Sequence, residues 1–338
     1  MQSKQYNPRL RSWLSAGCAA LGLALSVLGP LSSRVQAAAG IPAYDHVVVV
    51  IEENEAAAQI IGNSTLPYIN YLATNGANFT NSYALQHPSE PNYLDLFSGS
   101  NQGVNDDGAY TLTTAFTTAN LGAELIAGGK TFGGYAQGLP SSALGQGDVY
   151  PYARKHVPWV NWQGTGTNQI PQADNMPFTS FPNSANYATL PTVSFVIPDL
   201  LNDMHDGSPQ TADTWLNTNL SAYATWAKTH NSLLIVTWDE DDSNHGNIIP
   251  TIFYGDHINT GNYSEIINHY SVLRTLEDMY NLPYAGASAV NGPITDVFST
   301  PTPEPASWVL FGCGAAALGV VGWRRRRSSN PAEVPVAA

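Results

Sequence analysis

The stretch "DHVVVVI" (45–51) constrains the fold most. Its uninterrupted β-branched run has no polar face, so a strand built from it must be covered on both sides. Further strand patterns fall at 130–137, 191–199, 232–238 and 247–255. Helical patterns lie between them, in "LPYINYLATNG" (66–76), at Thr214–Lys228 and in "NHYSVLRTLEDMYNL" (268–282). Strands alternating with helices predict an α/β domain with a mainly parallel sheet and helices on both faces. The region 138–190 is rich in Gly, Pro, Asn, Gln and Ser and weakly patterned. It reads as an ordered excursion over one sheet edge, or a lid. Its Tyr and Trp residues belong to the core or line a substrate pocket. No internal repeat and no clear linker divides the span.

The ends read differently. Arg9 and Arg11 precede an apolar run, and "VQAAAG" follows with small residues suited to cleavage after Ala37. Residues 1–37 therefore read as a secretory signal peptide. At the other end, the triplet 303–305 (Pro-Glu-Pro) precedes an apolar segment, 308–323, and four arginines, 324–327. The order resembles a PEP-CTERM sorting signal, of the type processed by an exosortase in Gram-negative bacteria; an ordinary C-terminal anchor is the alternative. The expectation is a catalytic domain at 38–300 and a sorting tail at 301–338. The protein would be exported through the inner membrane to the outer surface or extracellular matrix. Contact with the membrane would come only through segment 308–323 before processing. Cys18 and Cys313 both lie outside the 38–300 span, which therefore uses no disulfide.

Charge narrows the partners. The 338 residues hold 13 basic and 26 acidic side chains. Only five of the basic ones (Lys130, Arg154, Lys155, Lys228 and Arg274) lie within 38–300, against 24 acids, a formal charge of −19. Such a surface argues against nucleic acid or anionic lipid as a general partner. An anionic substrate would need a bound cation to reverse the local field.

The acids are not spread evenly. Ligands in parallel sheets sit at the carboxyl ends of the strands. There the first strand runs into Glu52-Glu53-Asn54, the 191–199 strand into "DLLNDMHDGS", and the 232–238 strand into Asp239-Glu240-Asp241-Asp242. Crowded carboxylates resist ionisation unless a cation neutralises them, and a divalent ion held by oxygen ligands does so. Asp241 and Asp242 read equally well as a solvated turn.

One more stretch carries chemistry. In "HPSEPNYLDLFSGS" (87–100), Ser89 reads as a helix N-cap, Pro91 fits the first turn and Gly99 ends the helix. Tyr93, Leu94, Leu96 and Phe97 supply a buried stripe. That arrangement aims the Ser89 hydroxyl and free N–H groups at one point, which favours phosphate. The alternative is a capped helix without chemistry.

Taken in order, Glu53-Asn54, "HPSEPNY", "DMHDG", "WDEDD" and "HYSVLRTLEDMYNLP" resemble the phosphoesterase family of acid phosphatases and phospholipases C, within the alkaline-phosphatase-like superfamily. The resemblance implies a three-layer α/β/α sandwich and metal-assisted phosphoryl transfer. Ser89 matches the nucleophile and metal ligand. Glu53, Asn54, Asp239 and Glu240 match metal ligands, and His205 and His156 match catalytic histidines. The arginine that usually follows Pro-Asn in the phospholipase branch is Tyr93 here, and "ENEAAA" replaces the longer opening motif. The expected function is a secreted, metal-dependent phosphomonoesterase acting through a phosphoserine. Its partners would be a phosphorylated small molecule or a phospholipid head group, and an exosortase-type processing enzyme. Alternatives are a phospholipase C-type phosphodiesterase and a non-catalytic surface or matrix protein. A sulfatase fits less well, because Ser89-x-Pro91 lacks the following arginine of that motif. His87 reads as capping or packing, His269 as part of a helix start, Arg274 and Glu277 as structural, and His245 as a ligand or a loop residue.

Overall fold

The computed structural model describes residues 40–108 and 114–299. The signal-peptide reading, the triplet 303–305, segment 308–323 and the arginine cluster lie outside them. Among the described residues, no helix is long and apolar enough to cross a membrane.

The elements in chain order are β1 (His46–Glu52), α1 (Ala57–Ile60), α2 (Pro67–Asn75), β2 (Ala77–Phe79), β3 (Ser82–Tyr83), α3 (Ser89–Ser98), α4 (Leu121–Ala127), β4 (Phe132–Ala136), β5 (Asn175–Pro177), β6 (Val193–Ile197), α5 (Pro209–Ala227), β7 (Ser232–Trp238), β8 (Thr251–Gly255), β9 (Gly261–Tyr263), β10 (Ile267–Asn268) and α6 (His269–Tyr280). The main sheet has the order β5-β4-β6-β1-β7-β8-β2-β9. β1 lies at its centre, parallel to β6 and β7, as its apolar run 47–51 requires. β8 runs antiparallel to both β7 and β2. The sheet is therefore mixed but mostly parallel.

The pleat of β1 feeds two separate cores. Val47, Val49 and Ile51 face one layer, which holds Leu94 and Phe97 of α3, Leu121 of α4 and Leu273 of α6. Val48 and Val50 face the other, with Ile69 of α2 and Leu220 of α5. Helices thus cover both faces, giving the expected α/β/α sandwich. The same alternation sends Glu52 and Glu53 to opposite sides where the strand ends.

Element boundaries follow local chemistry. α5 begins five residues earlier than its apolar pattern, because Ser208 accepts from Thr211 N–H and Pro209 takes the first position. Asn268 caps α6 with a reciprocal contact to Ser271, and Asn281 ends it in the left-handed region. Gly99 ends α3 at φ 67°, as expected. Ser89, however, is not the N-cap. Pro88 holds that position, and Ser89 opens the helix with its hydroxyl free for other partners. The small strands β2, β3, β5, β9 and β10 escape the sequence pattern, since two or three residues show no periodicity.

The 138–190 region crosses the sheet edge as short 3-10 turns together with the edge strand β5. Trp159 and Trp162 are fully buried in the core. Gly134 makes room for this: a Cβ there would run into the Trp159 ring.

Candidate active site

Three strand ends and one helix start meet at the carboxyl edge of the sheet. Asp239 N–H donates to Glu52 C=O at 3.0 Å, which joins the ends of β7 and β1. Glu53 N–H donates to Asp203 C=O at 2.8 Å, bringing in the loop after β6. Asn54 adopts φ 57°, and its N–H donates to Asp239 Oδ1 at 3.2 Å. Asn54 thus enters the site through its backbone. Met204 has φ 82°. Its side chain packs in the α2/α5 core. Its neighbours Asp203 and His205 both lie beside His156. A bulky residue in the left-handed region is held there by its surroundings.

α3 brings the serine. Ser89 Oγ lies 3.1 Å from Glu53 Oε2 and 3.4 Å from Glu240 Oε1. One hydroxyl proton cannot serve both, so Ser89 sits between two competing acceptors. Two further residues of α3 donate to the same carboxylates. Tyr93 Oη reaches Glu53 Oε1 at 2.6 Å, and Asn92 Nδ2 reaches Glu240 Oε2 at 3.3 Å. Tyr93 reads from sequence only as part of an apolar stripe; its hydroxyl contact has no local signal.

His156 is fully buried and stacks flat on the Tyr93 ring, 5.0 Å between centroids and 11° between planes. Its Nε2 lies 3.1 Å from Glu53 Oε1 and its Nδ1 3.4 Å from Asp203 Oδ2. Neither approach is aligned as a hydrogen bond. His205 is partly exposed, pairs with Asp206 at 2.8 Å, and faces the His156 ring at 5.7 Å. The structure therefore brings both histidines to the serine's carboxylates.

The electrostatics are unbalanced. Burial, with Asp239 and Asp203 nearby, holds the Glu53 carboxyl well above the ordinary range. Burial pushes Asp239 up to about 7, and burial with Asp239 beside it pushes Glu240 up to about 9. Asp203 is raised to about 7, again mainly by burial. His156 is held well below its usual value by burial first and Lys155 second. Asp239 Oδ2 has no hydrogen-bond partner and no exposure to water. Buried acids this close repel one another unless a cation joins them. The donor set therefore fits a hard divalent cation held by Glu53, Ser89, Asp239 and Glu240. Ligand atoms of Glu53, His156 and His205 also lie within 4.8 Å of one another, a mixed N/O set of the kind zinc accepts.

Several neighbours were not singled out by the sequence. Asp203 is one. Lys155 is another: its Nζ pairs with Asp107 Oδ2 at 2.6 Å, and Asp107 Oδ1 accepts from Glu90 N–H at 2.9 Å. That bridge ties an ammonium group to the residue after Ser89. A lone lysine in a weakly patterned loop carries no signal of its own. His269 is the first residue of α6, as expected, and sits buried with Nε2 2.7 Å from Asp239 C=O. His87 contacts Glu240 at 2.9 Å and Asp241 at 3.2 Å, so it braces the acids. Glu277 accepts from Ala285 N–H and Ser288 Oγ, and Arg274 pairs with Asp278, both structural as read.

Comparison with known proteins identifies the family. Residues 63–283 match the model of the phosphoesterase family, and 301–327 match the PEP-CTERM protein-sorting motif, a signal for export and sorting in Gram-negative bacteria. A phosphatidylinositol-3-phosphatase of Mycobacterium tuberculosis is 49% identical over 282 residues, covering 83% of this chain and 92% of that protein. The phosphate-repressible acid phosphatase of Penicillium chrysogenum is 27% identical over 64% of this chain. This chain spans about half of that fungal relative, 54% of its length. A solved structure of an alkaline phosphatase superfamily protein from Vibrio parahaemolyticus shares the fold, with a TM-score of 0.51, 13% identity, and coverage of 75% of this chain and 73% of that one. Glu53 and Asn54 precede the family match, so only geometry joins them to it. With the family match covering well over half of the chain, the protein belongs to the phosphoesterase family and is a phosphoric ester hydrolase.

Proposed function

We propose that this protein is an exported, divalent-metal-dependent phosphomonoesterase that works through a phosphoserine at Ser89. The observation that carries the reading is the Ser89 hydroxyl, at the first position of a ten-residue helix and within 3.4 Å of two buried carboxylates. Ser89 Oγ gives its proton to a neighbouring carboxylate and attacks phosphorus, a new O–P bond forms, and the P–O bond to the leaving ester oxygen breaks. The Glu53 and Glu240 carboxylates orient the hydroxyl. The positive end of the α3 dipole favours phosphoryl charge, while Glu90 N–H is already given to Asp107 and Pro91 has none. Glu53, Ser89, Asp239 and Glu240 would hold a divalent cation, with Asn54 bracing Asp239 through its backbone N–H, and the cation would lower the hydroxyl pKa and neutralise phosphoryl charge. His205, the partly exposed histidine of the pair, protonates the leaving alcohol or holds a phosphoryl oxygen. His156, buried and uncharged, packs between Tyr93 and His205 and keeps them in place. Water then hydrolyses the phosphoserine.

A monoester carries a second negative charge that a diester lacks. The Lys155 ammonium, held by Asp107 beside the residue after Ser89, favours the more highly charged substrate. The relative that is 49% identical bears the name of a phosphatase acting on a phosphoinositide, which supports a phosphorylated polyol head group as the substrate class. The sorting motif supports processing near the triplet 303–305 by an exosortase-type enzyme, after removal of a leader at residues 1–37, and delivery to the outer surface or matrix.

The test is Ser89→Ala. The fold should survive, because the hydroxyl caps nothing. Activity on an aryl phosphate and on an inositol phosphate should fall by several orders of magnitude. Acid-quenched wild-type enzyme should yield phosphorylated Ser89 by peptide mass spectrometry. A folded Ser89→Ala protein with near-normal turnover would refute the nucleophile, and preferential release of phosphorylated head group from phospholipid would favour the diesterase.

A further inference from the structure

We infer that Tyr93 is a positioning residue for Glu53, its hydroxyl holding Oε1 and so fixing the carboxylate with Oε2 toward Ser89 and the place a cation would take. The inference rests on the metal-dependent reading above and deepens it. Its basis is geometric. Glu53 has two carboxylate oxygens, and each accepts one aligned hydrogen bond: Oε1 from Tyr93 at 2.6 Å and Oε2 from Ser89 at 3.1 Å. The nearby His156 nitrogen lies 3.1 Å from Oε1 but out of alignment. Tyr93 is therefore the aligned donor on that oxygen among the described residues. Its own freedom is removed: the residue is 1% exposed, and its ring is stacked on His156.

Position on the helix explains how this works. Ser89 and Tyr93 are four residues apart on α3, so their side chains share one face. One rigid turn thus delivers the nucleophile to one oxygen of Glu53 and the tether to the other. A short O–H···O contact to a carboxylate is among the stronger hydrogen bonds. Turning the Glu53 carboxylate away from this orientation would break the Tyr93 bond. The last position of the run Pro91-Asn92-Tyr93 thus belongs to the site and not only to the core.

The test compares Mn2+ binding to chelator-stripped wild type, Tyr93→Phe, Glu53→Gln and the double variant by calorimetry. Tyr93→Phe keeps the ring and its stacking but removes the tether. Its Kd for Mn2+ should rise by about 10–100-fold, the range for a residue that supports a metal ligand. In the Glu53→Gln background the same change should add little, because the tether acts through Glu53. At saturating Mn2+, kcat should recover most of its value with KM unchanged. The stripped Tyr93→Phe protein should melt within a few degrees of wild type. Equal Mn2+ affinity in wild type and Tyr93→Phe would overturn the inference while leaving the metal reading intact. An equal loss in both backgrounds would also overturn it, by showing an effect not routed through Glu53. A wild-type protein that binds neither Mn2+ nor Mg2+, Ca2+ or Zn2+ would overturn both.

Discussion

Asp239 and Glu240 are followed directly by Asp241 and Asp242, and the two pairs are treated oppositely by the fold. Asp241 is 1% exposed, yet Ser243, His245 and Asn247 all donate backbone N–H groups to it, at 2.7, 2.9 and 2.7 Å. Asp242 accepts from Asn244 N–H at 3.1 Å and pairs with His245 at 2.7 Å, which holds its carboxyl below the ordinary value. Asp239 is as buried as Asp241, but one of its oxygens has no partner. Glu240 shares the Ser89 hydroxyl with Glu53 and gains only a long contact from Asn92 and the His87 ring. A carboxylate surrounded by donors organises a loop. A buried carboxylate without them is costly until something positive arrives. The difference teaches which acids in a run of four serve the fold and which serve chemistry. It also explains why the Asp241, Asp242 and His245 cluster, whose atoms lie close enough to hold an ion, reads as a loop clamp.

The largest effect expected from breaking this contrast is Asp239→Asn. The loss of activity should exceed the roughly 10–100-fold typical of a residue that only supports a ligand. The metal-free variant should nevertheless melt at the same temperature as wild type or higher, because a repelling charge has been removed. A steady-state assay beside a thermal scan in chelator decides it. Activity near wild type would place Asp239 with Asp241.

A smaller effect is the response to pH without metal. In the unfolded chain these acids ionise near their ordinary values, about 4. In the folded chain Asp239 keeps its proton until about 7 and Glu240 until about 9. The folded state therefore binds more protons between those limits, and stability must fall as pH rises through that window. Thermal midpoints of the chelated protein should drop steadily from pH 5 to pH 9. Added Mn2+ should flatten the slope. A midpoint in chelator that does not change over that range would contradict the unneutralised cluster.

The smallest effect sharpens the other side. Asp241→Asn replaces an acceptor oxygen with a donor and strands a backbone N–H, at a cost of about 1–3 kcal/mol. Denaturant unfolding should show that loss, while activity per folded molecule stays near wild type. A collapse of activity with unchanged stability would make Asp241 a member of the site.

What the sequence alone determined is what short-range pattern can carry. The apolar run 47–51 required a central strand with both faces covered, and β1 is that strand between β6 and β7. The strand-to-acid transitions placed Glu53, Asp239 and Glu240 at one sheet edge, because parallel strands end on the same side. The Gly99 stop and the motif around Ser89 located a helix start. Resemblance to a family added roles that spacing could not. The tertiary structure decided the rest. It gave Ser89 to Glu53 rather than to its own helix, and it turned an apparent core tyrosine into a tether for a carboxylate 40 residues away. It recruited Asp203, and it carried Lys155 to Asp107 across 48 residues. The physical reason is one of range. Periodicity reports which face of an element is buried, and burial looks the same for a tyrosine that packs and a tyrosine whose hydroxyl has found a distant charge.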